Sequence, residues 1–295
     1  MDKWVVYILL AVCLSSCGQA SGNKQVKQGT DSLQNDTVVS HPVDSLAYAY
    51  LKSGRIMYEN GDKLGAIAKY NKAIEIDPLY MLAYYNRGLS KSKIGDNQGA
   101  IDDYSKAIQI NPQYIKAYFS RGLIKSKLGD NKEAIVDYSK AIQINPQYIK
   151  AYFNRGNCKS KLGDKEGAIS DYNKAIELDA QNINAYINLG VEKYELGDYE
   201  GEIATYRLAI KNCSPDADLY NNLGRALYDL KRFKEAAEAY GEGIKAFPSD
   251  GKLYYGRGLA RNRLGDKNGA CEDWHRSSEL GCLQANALLL LCGEK

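Results

Sequence analysis

The stretch DYSKAIQINPQYIKAYF fills Asp103–Phe119 and returns letter for letter at Asp137–Phe153, 34 residues later. A run of this length kept unchanged means that one surface is needed twice at a fixed spacing. Sliding the whole chain against itself by the same 34 residues extends the match in both directions. Glycine recurs at Gly54, Gly88, Gly122, Gly156, Gly190, Gly224 and Gly258, and four residues before each stands Tyr50, Tyr84, Tyr118, Tyr152, Tyr186, Tyr220 or Tyr254. A second aromatic column runs through Tyr70, Tyr104, Tyr138, Tyr172, Tyr206, Tyr240 and Trp274. Alanine precedes most of these by four (Ala66, Ala100, Ala134, Ala168, Ala236, Ala270) and follows by three (Ala73, Ala107, Ala141, Ala175, Ala209). Pro78, Pro112, Pro146 and Pro248 close units.

Spacings of three and four put Tyr84 with Gly88, and Ala100 with Tyr104 and Ala107, on single helix faces. Gly95-Asp96 breaks the first helix of a unit, and Asp96 caps the second; Gly129-Asp130, Gly163-Asp164, Gly197-Asp198 and Gly265-Asp266 repeat the device. Asn111-Pro112 then stops the second helix, because proline drives the preceding residue out of the helical region. Each unit is therefore expected to be a helical hairpin. The tyrosine of one unit is expected to fill the space beside the glycine or alanine of another. One hairpin cannot cover its apolar stripe alone, so the units must stack.

The order Tyr…Gly…Ala…Tyr…Ala…Pro at this period resembles the tetratricopeptide repeat, over about residues 47–284. The resemblance implies an all-α, right-handed superhelical solenoid of about seven hairpins. It also implies a concave groove, lined by the first helices, that binds extended peptides or protein helices. Glu202 stands where alanine is expected and Pro215 comes one residue late, so the fifth unit is expected to pack less regularly. Ser277 and Cys282 replace alanine and proline in the last unit, and residues 283–291 read as a capping helix.

The N-terminus reads as an address. Lys3 is followed by an apolar run of 11, Trp4–Leu14, too short to span a bilayer as a helix. Leu14-Ser15-Ser16-Cys17 resembles the lipobox of bacterial lipoproteins, in which the cysteine is lipidated and becomes the new N-terminus. The competing reading is an ordinary secretory signal with Cys17 a bystander. The expected organisation is a signal peptide at 1–16, lipidated Cys17 and a disordered tether over 17–44, and the solenoid at 45–292. The tether is rich in Gly, Ser, Gln, Asn and Thr and has too little apolar surface to order; its r.m.s. span is roughly 30 Å. Lipidation implies a cell-envelope protein. The residues after Cys17 lack an acidic cluster, which favours a periplasm-facing position, on the outer membrane, over surface display.

Composition removes other classes. Lys plus Arg is 39 against 36 Asp plus Glu, too balanced for a dedicated nucleic-acid binder. Two histidines, His41 and His275, leave little for a metal site, and the 24 tyrosines are absorbed by packing columns. There is no phosphate loop, nucleophile elbow or HExxH, so no enzyme activity, cofactor or metal is expected.

Candidate binding residues follow from helical spacing in the first helices. The third unit presents Lys116, Phe119, Ser120, Leu123, Ser126 and Lys127; the fourth presents Lys150, Phe153, Asn154, Asn157, Ser160 and Lys161. The second presents Leu82, Tyr85, Asn86, Leu89, Ser92 and Lys93. Phenylalanine beside lysine suits a partner with apolar and acidic side chains. Equally, Phe119 and Phe153 can cover neighbouring helices while the lysines confer solubility. Asn86, Asn154, Asn188 and Asn222 form a column whose amides can pair with the main chain of an extended ligand, although asparagine also recurs in arrays without ligands. Arg87, Arg121 and Arg155 share a spacing with Asp103, Asp137 and Asp171 and are expected to pair with them. Of the Lys-Ser-Lys triplets at 91–93, 125–127 and 159–161, only Lys93, Lys127 and Lys161 are expected to face the groove.

Residues 81–182 carry 16 basic and 11 acidic groups, residues 183–250 carry 8 and 12, so the array is electrically polar along its length. That polarity suits orienting a partner or head-to-tail self-assembly into a homo-oligomer. Cys158 is expected in the core. A turn near 281–282 leaves Cys271 and Cys292 equally far from it, so antiparallel helices would bring them level for a disulfide; three reduced, buried thiols are the alternative. The function expected is a membrane-anchored scaffold binding a protein or peptide partner. A self-assembling envelope protein and a glycan or small-molecule binder are the alternatives.

Overall fold

The computed structural model describes residues 44–293. The expected signal peptide, Cys17 and all but the last residue of the tether lie outside them. Within this range the chain forms seven consecutive helical hairpins and a short closing helix, with no strand among the described residues. The hairpins are α1 (Ser45–Glu59) with α2 (Lys63–Ile76), α3 (Met81–Lys93) with α4 (Asn97–Ile110), and α5 (Ile115–Lys127) with α6 (Asn131–Ile144). They continue as α7 (Ile149–Lys161) with α8 (Lys165–Leu178), α9 (Ile183–Glu195) with α10 (Tyr199–Asn212), α11 (Ala217–Asp229) with α12 (Phe233–Ala246), and α13 (Gly251–Arg263) with α14 (Lys267–Glu279). The closing helix is α15 (Gln284–Leu289). Each helix packs on the next in sequence, which is the all-α repeat solenoid the 34-residue period predicts.

The punctuation works through backbone geometry. The turn glycines Gly61, Gly95, Gly129, Gly163, Gly197 and Gly265 sit at φ between 78° and 92°, a left-handed region that costs glycine nothing. The sixth hairpin places Lys231 there instead, at φ 61°. The following aspartate then caps the second helix: Asp96 accepts from the Gly99 amide at 2.9 Å, and Asp62, Asp164, Asp198 and Asp266 do likewise. Asp130 does not cap. Its partner position holds Glu133, and a Cβ at the equivalent Gly99 would lie 2.2 Å from the Asp96 carboxylate. The side chain at 133 thus displaces the cap.

The interior column is as the spacing predicts, with one correction. Tyr70, Tyr104, Tyr138, Tyr172, Tyr206 and Trp274 are at most 1% exposed, and the alanines beside them are fully buried. Each interior aromatic fills the space beside the glycine of its own hairpin, and the expected contact with the glycine of another unit is made by Tyr240, which also closes on Gly256 of the seventh hairpin. A Cβ on Gly88 would meet Tyr104 at 2.8 Å, and one on Gly156 would meet Tyr172 at 2.7 Å. The two lie 16 residues apart on opposite arms of one turn, so the missing side chain is what lets those arms close. The fifth hairpin, α9 with α10, is the most loosely packed of the seven, in keeping with Glu202 in the alanine column and the extended Cys213–Asp216 connection.

At the end of the row α15 is shorter than the expected 283–291. Ala285 packs against Tyr255, Leu259 and Trp274, while Leu290 and Leu291 are exposed. Cys271 on α14 and Cys292 beyond α15 are disulfide-bonded with Cα atoms 5.6 Å apart, whereas Cys158, Cys213 and Cys282 are free thiols. Loop-closure entropy for such a crosslink amounts to about 3 kcal/mol. Cys292→Ser is expected to lower the stability of the C-terminal end by about 2 kcal/mol, less than the full figure because the array can lose its cap alone. Faster amide exchange confined to α14 and α15 would show it; an unchanged pattern would contradict it.

Candidate functional site

First helices of adjacent hairpins approach one another, α1 with α3, α5 with α7 and α11 with α13, and second helices make no comparable approach. The row therefore curves with its first helices inside, and the candidate residues lie on that side.

The charged columns divide. Arg121 on α5 donates from Nε and Nη2 to both carboxylate oxygens of Asp137 on α6, at 3.0 and 2.6 Å. Lys125 adds a third contact at 3.0 Å, and Arg121 Nη1 reaches back to Ser105 on α4 at 2.8 Å. The same triad joins Arg87, Asp103 and Lys91, and again Arg155, Asp171 and Lys159. Arg257, Asp273 and Arg261 repeat it in the last hairpin. The expected Arg–Asp pairing is present, and the first lysine of each Lys-Ser-Lys triplet is spent on it. One aspartate thus neutralises two cations, and in hairpins two to four the arginine also ties its hairpin to the one before. Lys93, Lys127 and Lys161, the second lysines, are exposed.

The aromatic candidates are half-buried. Phe119 packs at a tilt on Tyr138 and Tyr148 at centroid distances of 5.7 and 5.0 Å, and Phe153 on Tyr172 at 6.0 Å. Tyr85 packs tilted on Tyr104 and edge-on against Tyr114. These rings roof the interior tyrosines and offer only an outer edge to the groove. Lys116 is half-buried and Lys150 exposed, both engaged with neighbouring groups.

The asparagine column does not act as one ladder. Asn86 and Asn154 each donate to the carbonyl four residues back in their own helix, Leu82 at 2.7 Å and Lys150 at 2.8 Å. Asn188 instead donates across hairpins to Asn157 Oδ1 at 2.8 Å, and that oxygen also accepts from the Tyr172 hydroxyl at 2.8 Å. Asn222 is half-buried on α11. The amides so engaged keep their carbonyl oxygens for other donors.

Asn157, Asn188 and Lys161 come together, with Ser160, Tyr172, Val191 and Glu192, around a recess of about 280 Å³ between the fourth and fifth hairpins. Glu192 was not among the residues that helical spacing singled out. A signal existed: its column otherwise reads Ile56, Ser90, Ile124, Cys158, Ala226 and Ala260, so one charge stands in a small or apolar series.

A second buried polar group sits one hairpin further on. Glu202 on α10 is 1% exposed, and Arg225 on α11 approaches it at 3.7 Å. Burial pushes the Glu202 carboxyl up to about 7, with Asp229 adding to the effect and Arg225 opposing it. Among the described residues no group of side chains could hold a metal ion, and no helix is long and apolar enough to cross a membrane.

Seven stacked hairpins, glycine against tyrosine in six and against tryptophan in the last, and a face left to the first helices define a helical-repeat solenoid. Models of the TPR repeat match residues 54–95, 92–129 and 124–163, and tetratricopeptide repeat models match 149–182, 183–214 and 221–276. The chain belongs to the tetratricopeptide repeat family, and no enzyme family model is among these matches. Curated protein sequences give no match. Among solved structures, a tetratricopeptide repeat protein from Parabacteroides merdae ATCC 43184 is 19% identical over 84% of this chain and 99% of its own, with a TM-score of 0.57. MamA is 25% identical over 54% of this chain and 93% of its own, with a TM-score of 0.52. YrrB, described as a TPR protein with an unusual peptide-binding site, is 18% identical over 63% of this chain and 96% of its own, with a TM-score of 0.51.

Proposed function

We propose that this chain is a lipid-anchored scaffold of the cell envelope that holds a partner protein by an extended segment laid along its first helices. Cys17 carries the anchor and the tether spaces the array from an outer-membrane surface facing the periplasm. The observation that supports this best is the division of charged columns. Arginine, aspartate and the first lysine of hairpins two to four are consumed in structural triads, while Lys127 and Lys161 stand exposed on the inner side without an ion pair. Phe119, Phe153 and the column Asn86, Asn154, Asn188 and Asn222 border the same path. YrrB, of the same fold, is described as having a peptide-binding site, which agrees with this use of the surface.

A photoreactive residue at position 154, introduced in cells and irradiated, is expected to yield one discrete adduct with a different protein. A self-adduct would favour head-to-tail assembly of copies through their unlike ends, and an absence of adducts along the first helices would overturn partner binding. Cys17→Ser is expected to move the protein from the membrane to the soluble fraction; retention in the membrane would refute the anchor.

A further inference from the structure

The recess between the fourth and fifth hairpins contains an unbalanced group. Glu192 on α9 is 4% exposed, lines the recess, and its Oε2 has no hydrogen-bond partner. A buried carboxylate oxygen without a donor is costly, and native structures rarely leave one so. We infer that this recess is a subsite for a cationic side chain, lysine or arginine, of the bound partner, with Glu192 as its acceptor. The inference rests on the reading that the groove grips a protein segment, and adds what that segment must carry.

Three observations carry it. First, the polarity is local and built. Glu192 interrupts a column of Ile56, Ser90, Ile124, Cys158, Ala226 and Ala260, while Asn157 is the one amide in a column that reads Arg55, Leu89, Leu123, Val191, Arg225 and Leu259. The two departures fall in adjacent hairpins and line the same recess. Second, the surroundings are held in place. Tyr172 Oη and Asn188 Nδ2 both donate to Asn157 Oδ1, fixing the amide planes beside Glu192 and committing the Tyr172 proton elsewhere, while Glu192 Oε2 receives no donor from either amide. Third, the size is right. A volume of about 280 Å³ lies just below the ~300–1,000 Å³ of sites that take a whole small molecule. One long side chain entering from the groove fits it better.

Lys161 also lines the recess and is exposed, whereas Glu192 is buried. The recess is therefore acidic at its floor and basic at its rim. A segment with a basic residue and an acidic neighbour would satisfy both, and Lys161 disfavours two adjacent cations.

The test uses the full chain and three capped tripeptides, acetyl-Ala-Xaa-Ala-amide with Xaa lysine, arginine or norleucine. Saturable shifts of the Val191 and Glu192 amide resonances are followed by NMR. The lysine and arginine probes are expected to bind at least about tenfold more tightly than norleucine, a difference of about 1.4 kcal/mol. Glu192→Ala, which restores the residue at positions 226 and 260, should remove that preference while the helical signal and midpoint stay intact. Lys161→Met should tighten binding of the lysine probe. Equal binding of norleucine, no saturable shift with the cationic probes, or an unchanged preference in Glu192→Ala would each overturn the inference. If cells carrying Glu192→Ala still give the full adduct at position 154, the groove reading stands and this subsite fails. If the cationic probes bind but no adduct forms anywhere, the subsite stands and the groove reading fails.

Discussion

Asp137→Ala is expected to destabilise the array by about 3–5 kcal/mol, because it leaves two cations one turn apart on α5 with their shared anion on α6 gone. The Asp137 side chain is 1% exposed and both its oxygens are occupied, by Arg121 at 2.6 Å and Lys125 at 3.0 Å. Removing all three charges should behave otherwise. In the sixth hairpin the equivalent positions are Leu223, Ala239 and Leu227, each at most 5% exposed. The triple change Arg121→Leu, Asp137→Ala and Lys125→Leu transplants a set of side chains this fold already accepts. It is expected to restore stability to within about 1 kcal/mol of the original or to exceed it. Urea unfolding followed at the third hairpin checks both. A single variant costing less than about 1 kcal/mol, or a triple variant as damaged as the single, would show that the triad is peripheral to the packing.

The second large effect is a dependence on pH centred on Glu202. Its carboxyl is raised to about 7 from an ordinary 4.5. Below pH about 4.5 native and unfolded chains are both protonated there and nothing is lost. Between about 4.5 and about 7 the unfolded chain gives up its proton first, so the native state binds more protons and stability falls as pH rises. Above about 7 the loss is complete, on the order of 3 kcal/mol. The groups facing Glu202 are Arg225 and Asp229 on α11 and Tyr206 on its own helix. Tyr194 on α9 lies under the Arg225 guanidinium. Glu202→Ala restores the alanine present at Ala66, Ala100, Ala134, Ala168, Ala236 and Ala270. It should widen its stability advantage over the parent steadily from pH 4.5 to 8. A constant gap across that range would dismiss the assignment.

Much of the architecture is legible in the column structure of the chain. The 34-residue period, the turn glycines, the capping aspartates and the buried tyrosines all depend on neighbours within one hairpin, and helical spacing reports those directly. The Arg121–Asp137 pairing is legible for the same reason, since both residues recur in step. The candidate site is less so. Helical spacing sets Lys91, Lys125 and Lys159 apart from the groove-facing lysines without assigning them a partner, but a lysine stem reaches across to the aspartate that helical spacing pairs with arginine alone. Asn86, Asn154, Asn188 and Asn222 read as one ladder, yet Asn86 and Asn154 turn back to their own helices while Asn188 spans two hairpins.

From the amino-acid order alone came the class of molecule: a repeated hairpin that must stack, because no single unit can cover its own apolar stripe. Tertiary structure decided where that regularity is broken to some purpose. Glu192 is the one charge in its column, and Asn157 is the one amide in a different column. Only the stacking of the fourth hairpin on the fifth places them around one recess, since contact between units depends on how two surfaces nest and not on spacing along either.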